Sequence, residues 1–145
     1  RIGDWSSDVC SSDLNWEGLM TIPHYNLTNC ITIVDRNHCM IDGNTEDVMK
    51  LEPLADKFVA FGFHTIVCEG NNIVSLCKAI DEAHKTKDKP TVIVADTIKG
   101  VGIKLTSGNY KWHYGAIDDE MAKVAAKDLD EYSAERIARC GKEFE

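Results

Sequence analysis

A chain of 145 residues has room for one domain with a real core, and 43% hydrophobic with 28% charged residues is the composition of a globular protein, not a fibrous or disordered one. The formal net charge of −8 argues against a nucleic-acid coat, which needs a basic face. No apolar run approaches the roughly 20 residues that span a bilayer.

The opening stretch RIGDWSSDVCSSDL, residues 1–14, has neither a period of two nor one of 3.6. It lacks the apolar run of a signal peptide and is too acidic for a transit peptide. From Asn15 the text changes. Trp16 to Tyr25 has helical composition, with Pro23 set to kink or end the helix. Cys30 to Asp35 (CITIVD) is short and β-branched, a buried strand. A polar loop follows, with a turn at Asp42-Gly43-Asn44 and a short helix start at Thr45. Pro53 to Phe61 reads as a helix with Leu54, Phe58 and Phe61 on one face and Gly62 ending it. His64 to Cys68 is a second strand. Asn72 to Lys85 is an amphipathic helix with Ile73, Leu76, Cys77, Ile80 and Ala83 on one side. Thr91 to Ala95 (TVIVA) is a third strand, Gly100 to Trp112 a glycine-punctuated loop, and Met121 to Ala138 a helix. Asp118, Asp119 and Glu120 bring negative charge to that helix's positive end.

The six cysteines, at 10, 30, 39, 68, 77 and 140, form no C-x-x-C pair. They read as free thiols of a reducing cytoplasm, with Cys30, Cys68 and Cys77 in the core among apolar neighbours.

Strands alternating with helices predict an α/β fold, a partial parallel sheet flanked by helices. Ligands of such sheets bind where loops leave the carboxyl ends of the strands. The loops to inspect are Asp35 to Asn44 and Thr97 to His113. By residue type alone, Asn37 is equally a turn-forming asparagine after a strand.

The segments VDRNHCMIDGNT, LEPLADKFVAFGFH, KPTVIVADTIKGVG and KWH occur in this order, and together they resemble the thiamine-diphosphate-binding domain of transketolase. The resemblance runs through nearly all of Asn15 to His113. It implies a thiamine diphosphate-binding fold truncated at its N-terminus. In that family the cofactor motif opens with Gly-Asp-Gly and closes with an Asn about thirty residues on, and Asn37 matches the closing residue. The resemblance implies that Asn37 and the backbone carbonyl of Cys39 help hold Mg2+ (or Ca2+), a hard ion that takes oxygen ligands. Lys99 and His113 resemble the family's pair beside the cofactor diphosphate and the substrate entry. Glu17 in NWEG resembles a family glutamate near the dimer interface, one of a set that links the two active sites, and if buried there it would be a catalytic proton relay. By residue type it is equally an ordinary first-turn helix acid. A further acid expected near Ser12 is missing. Tyr114 stands where the family usually has Gly after His, and EGNN (Glu69 to Asn72) departs from Asp-Gly-His-Asp.

The motif's aspartate should fall near Ser7, where the opening stretch stands instead. Asp4 in RIGDW is three residues too early, and Trp5 replaces the required Gly. Residues 4–14 can be encoded by a widely used sequencing-adapter DNA, so 1–14 is expected to be a non-native artefact set before residues 15–145.

YSAERIARCGKEFE looks like a natural terminus. The expectation is therefore an N-terminal subunit of a split transketolase, cytoplasmic, with a C-terminal subunit supplying the pyrimidine-binding domain. It would act on sugar phosphates in a dimer or heterotetramer. The alternatives are a related thiamine-diphosphate enzyme such as deoxyxylulose-phosphate synthase, a catalytically silent interaction subunit, and a fragment that folds poorly because a sheet edge and apolar surface are exposed.

Overall fold

A computed structural model describes residues 2–6 and 14–140. Its centre is a three-strand parallel sheet, β2 (Ile31–Arg36), β4 (Thr91–Asp96) and β3 (His64–Glu69), to which β1 (Ile2–Ser6) adds a fourth strand in the order β1-β2-β4-β3. The helices are α1 (Asn15–His24), α2 (Thr45–Val48), α3 (Leu54–Phe61), α4 (Ile73–Lys85) and α5 (Asp119–Cys140), with a 3-10 turn over Tyr110–His113.

Alternation along the strands divides the core. Val34, Val92 and Val94 face α1 and α3, where Leu19, Leu54, Phe58 and Phe63 close one cluster, with Trp16 against Phe58 and Phe61. Ile31, Ile66 and Ile93 face the other way, onto Ala79 and Ala83 of α4. β4 is buried from Thr91 to Ala95, as a central strand of a two-sided parallel sheet must be. Pro23 sits one residue before the end of α1, and Gly62 ends α3 in the left-handed region at φ 99°.

Three expectations are corrected. The buried stripe of α4 is turned toward Ala79 and Ala83, leaving Ile73 and Cys77 exposed, because small residues let the helix sit close to the sheet. Among the thiols it is Cys39 that is buried, while Cys30 and Cys68 are half-buried. Cys10 lies outside the described residues. The apolar neighbours of Cys77 in sequence lie on other sides of its helix, so they do not bury it.

The opening stretch, set outside the fold from sequence, supplies a strand in this structure. Ile2–Ser6 pairs in parallel register with β2, Ile2 opposite Ile31 and Ser6 opposite Asp35, and covers the β2 edge. A ladder joins backbone groups, so it asks for little from the side chains, and periodicity could not reveal it. Residues 7–13, with Ser7 and Ser12, lie outside the described residues.

A candidate cofactor-diphosphate site at the ends of β2 and β4

The chain leaves β2 toward the α3 face and leaves β3 toward the α4 face. Between them the carboxyl end of the sheet is left to the loops after β2 and β4, the usual place for a ligand crevice. Cross-bonds knit these loops together. Thr97 donates through its hydroxyl to Asp35 and through its N–H to the Arg36 carbonyl. His38 Nε2 lies 2.5 Å from Asp96 Oδ1, and the Ile98 N–H donates to Asn71 Oδ1 at 2.6 Å.

Asn37 is half-buried just past β2, and its Oδ1 accepts the Cys39 N–H at 3.0 Å. That is an Asx turn, so the turn-forming asparagine read from sequence is present, in the residue that matches the motif. Cys39 and Asn44 form an antiparallel bridge. Its flanking bonds are the Met40 N–H to the Gly43 carbonyl (2.7 Å) and the Thr45 N–H to the His38 carbonyl (2.9 Å). This pattern makes Cys39 and Asn44 a non-hydrogen-bonded pair, so the Cys39 carbonyl points away from the hairpin. It points with its own N–H, to the side where Asn37 Oδ1 lies. The Cys39 sulfur is buried elsewhere, 3.9 Å from the Gly108 carbonyl.

The second loop brings its predicted pair together. Lys99 Nζ lies 3.5 Å from His113 Nδ1, both side chains half-buried. An ammonium only donates, so in this contact Nδ1 accepts and Nε2 carries the proton. Gly100 and Gly102 take φ of 65° and 98°, and a Cβ on Gly100 would come within 2.9 Å of Thr106 Cβ. Gly108 ties the two loops: its N–H donates to the Lys99 carbonyl at 2.8 Å, while its own carbonyl meets Cys39. Tyr114 is 78% exposed, its ring edge-on to His113. The close packing that glycine permits falls one residue later, at Gly115, where a Cβ would overlap the Trp112 ring.

Glu17 is exposed on α1, away from the buried Asn15 and Leu19, and among the described residues no hydrogen bond or ion pair joins it to Lys99 or His113. Asp4 is opposite Ile33 in mid-strand, three register positions short of Arg36. At about 3.3 Å per residue its backbone is roughly 10 Å or more below the sheet end. Among the described residues no cluster of three His, Cys, Asp or Glu could hold a metal. Asn37 Oδ1 and the Cys39 carbonyl suit a hard cation that shares a diphosphate and waters. The acid of the family's motif, expected near Ser7, falls outside the described residues.

Sequence reading passed over Arg36. It is 2% exposed, and its guanidinium reaches Glu52 (3.0 Å), Glu46 (2.9 Å) and the Thr45 hydroxyl (2.8 Å). Burial pushes Glu52 up, but the Leu54 N–H and the Arg36 guanidinium outweigh it and leave the carboxyl below its ordinary value. The signal was a charge at the end of an apolar strand, which must find partners if buried. A cleft of about 380 Å3 opens beside the site, between α5 and the ends of β3 and β4, lined by Glu69, Asn71, Asp96, Tyr132, Arg136 and Arg139 among others.

The family described as "Transketolase, thiamine diphosphate binding domain" matches residues 8–134. A 6-deoxy-6-sulfo-D-fructose transketolase subunit of Clostridium sp. is 35% identical over 133 residues, 92% of this chain and 47% of that protein. One of the subunits of an apulose-4-phosphate transketolase from Actinobacillus succinogenes is 35% identical over 115 residues, 79% of this chain and 41% of that protein. The chain thus spans about half the length, or less, of these curated relatives. Among solved structures, Campylobacter jejuni transketolase superposes with a TM-score of 0.78 at 24% identity, over 89% of this chain and 20% of that one. Leishmania mexicana transketolase gives 0.66 at 28% identity, over 94% and 24%.

Proposed function

This chain belongs to the transketolase family through its thiamine diphosphate binding domain, and from that premise we propose that it holds the diphosphate end of thiamine diphosphate in a split transketolase. Asn37 Oδ1 and the Cys39 carbonyl bind Mg2+ or Ca2+ with the diphosphate oxygens. Lys99 supplies fixed positive charge to the phosphate groups, and the Nε2–H of His113 donates a hydrogen bond at the substrate entry. Bound thiamine diphosphate supplies a carbanion and an electron sink for moving a two-carbon ketol unit between sugar phosphates. The protein orients the phosphates, excludes water and places the imidazole proton. A C-terminal subunit carries the pyrimidine-binding domain, and Glu17 lies at the interface of a dimer or heterotetramer in the cytoplasm. The observation that carries the reading is the Lys99–His113 contact, made across a loop that packs on the Asn37–Cys39 turn.

The test is ketol transfer from xylulose phosphate by the complete subunit with its partner, with and without thiamine diphosphate. Lys99→Met and His113→Ala are each expected to lower kcat/KM by about a hundredfold, the scale of one lost charge-assisted contact in a dry site. Absence of cofactor-dependent transfer would overturn the reading, and transfer from pyruvate instead would move it to the deoxyxylulose-phosphate synthase type. A second reading, a catalytically silent interaction subunit, is favoured by the departures from the family pattern at Tyr114 and Asn71. Metal-dependent cofactor binding by the complete subunit would exclude it.

A further inference from the structure

We propose that Arg36 and Thr45 are positioning residues, which act through the His38 carbonyl to hold Asn37 Oδ1 and the Cys39 carbonyl on one side of their turn. The inference rests on the site proposed above, and it adds the device that shapes that site.

His38 lies between the two metal-facing groups and takes φ of 63°, the left-handed region that a side chain disfavours. This residue turns the chain so that Cys39 comes back toward Asn37. Something must hold it there. Thr45 does so from inside the protein. It is fully buried, its N–H donates to the His38 carbonyl at 2.9 Å, and its hydroxyl makes a longer contact with the same oxygen at 3.4 Å. A hydroxyl has one proton, and Arg36 Nη1 fixes where it goes. The guanidinium donates to Thr45 Oγ1 at 2.8 Å, so the hydroxyl must accept there and spend its proton on the carbonyl.

Arg36 is itself anchored. Its Nε reaches Glu52 Oε1, whose second oxygen accepts the Leu54 N–H at the start of α3. Its Nη2 reaches Glu46 Oε1, which also accepts the Leu51 N–H. One planar fork thus ties the end of β2 to both ends of the segment from Thr45 to Leu54. Lysine has no such fork. The ring of His38 is held by Asp96, so backbone and side chain are fixed separately.

The experiment compares Thr45→Val, which keeps shape and loses the hydroxyl, with Thr45→Ser, which keeps the hydroxyl and loses a methyl group. Amide exchange of Cys39 and Met40 is read in the 145-residue chain. The Mg2+ concentration giving half-maximal cofactor binding, at saturating thiamine diphosphate, is read in the complete subunit with its partner. Thr45→Val is expected to lower Cys39 protection about tenfold and to raise the Mg2+ requirement about tenfold, as loss of one buried hydrogen bond would. Thr45→Ser should stay within about threefold on both readings, although its buried methyl loss lowers the melting temperature as well. Arg36→Lys should behave like Thr45→Val.

Unchanged Cys39 protection in Thr45→Val would overturn the proposal. So would Thr45→Ser failing as badly as Thr45→Val, which would make the role one of packing. If the wild-type complex binds no thiamine diphosphate, the functional reading falls, while amide exchange still decides whether the hydroxyl holds the turn.

Discussion

At Asn37 one oxygen serves a turn and, in the proposed site, would also meet a metal ion. Its Oδ1 accepts the Cys39 N–H, yet an amide oxygen has a second lone pair. An aspartate keeps that acceptor and adds charge, whereas alanine loses it. Asn37→Asp is therefore expected to keep metal-dependent cofactor binding and Asn37→Ala to abolish it, with the turn itself costing about 1 kcal/mol. Calorimetric titration of the complete subunit with Mg2+ and thiamine diphosphate would show it, and equal binding by the alanine variant would remove Asn37 from the site. The residue was legible in the sequence only through the motif around it, because a turn and a ligand use the same side chain. Gly115 was not legible: attention fell on Tyr114, while the glycine that admits the Trp112 ring is the next residue. Gly115→Ala should displace that ring and the His113 beside it, which a change in tryptophan fluorescence would report. An unaltered spectrum with unaltered activity would show that the loop has room to give.

The elements were read well where one face meets one core. Leu54 and Phe58 of α3 are buried as their spacing predicts, and the Asn72 side chain caps α4 by accepting from Val74 and Ser75. The face of α4 was misjudged by about 50°, half the step between residues, because hydrophobicity ranks Ile73 and Cys77 above the alanines that meet the sheet. Helix α5 is held differently. Ala125 and Asp128 are its buried residues among those described, and polar contacts supply much of the rest. Arg136 donates to the Asn71 carbonyl, Arg139 pairs with Glu69 at 3.1 Å, and Lys104 pairs with Glu131 and Asp128. Asp128 is held below its ordinary value by the Lys104 N–H, opposed by burial and helped by the Lys104 ammonium. Glu131 is lowered by its hydrogen bond from Lys104, and Glu69 by the Asn72 amide and then Arg139 against some burial. A carboxylate lowered in the folded state stabilises fully above its unfolded value, and that contribution is lost as pH falls through the folded one. Acidification from about pH 5 toward pH 3 should therefore release α5 before the sheet unfolds. Salt should shift this release, since exposed pairs are screened. Hydrogen exchange along the chain at about pH 7 and about pH 4 measures it, and simultaneous loss of protection in α5 and β4 would show that α5 is part of the same cooperative unit.

For the whole molecule, the open question is what residues 1–14 contribute. Among the residues whose side chains are described, both core clusters are built from residues 19–94. Strand β1 adds a backbone ladder on the β2 edge, in register from Ile2 to Ser6. A net hydrogen bond contributes about 1 kcal/mol, and ordering each residue of the strand costs about as much or more. The two nearly cancel, so a chain beginning at Asn15 should keep a cooperative thermal transition and lose no more than about 2 kcal/mol. It should also associate more readily. Removing β1 bares the β2 edge, and Met20, Tyr25 and Leu27 are exposed on and just after α1. Thermal unfolding of the two chains over a tenfold range of concentration separates these effects. A melting temperature that falls little at low concentration, with aggregation only in the shorter chain, would mean that residues 1–14 shield an edge and leave the core to the rest. A shorter chain with no cooperative transition at any concentration would make β1 integral, and the fold would then depend on the one stretch whose sequence carries no periodic signal.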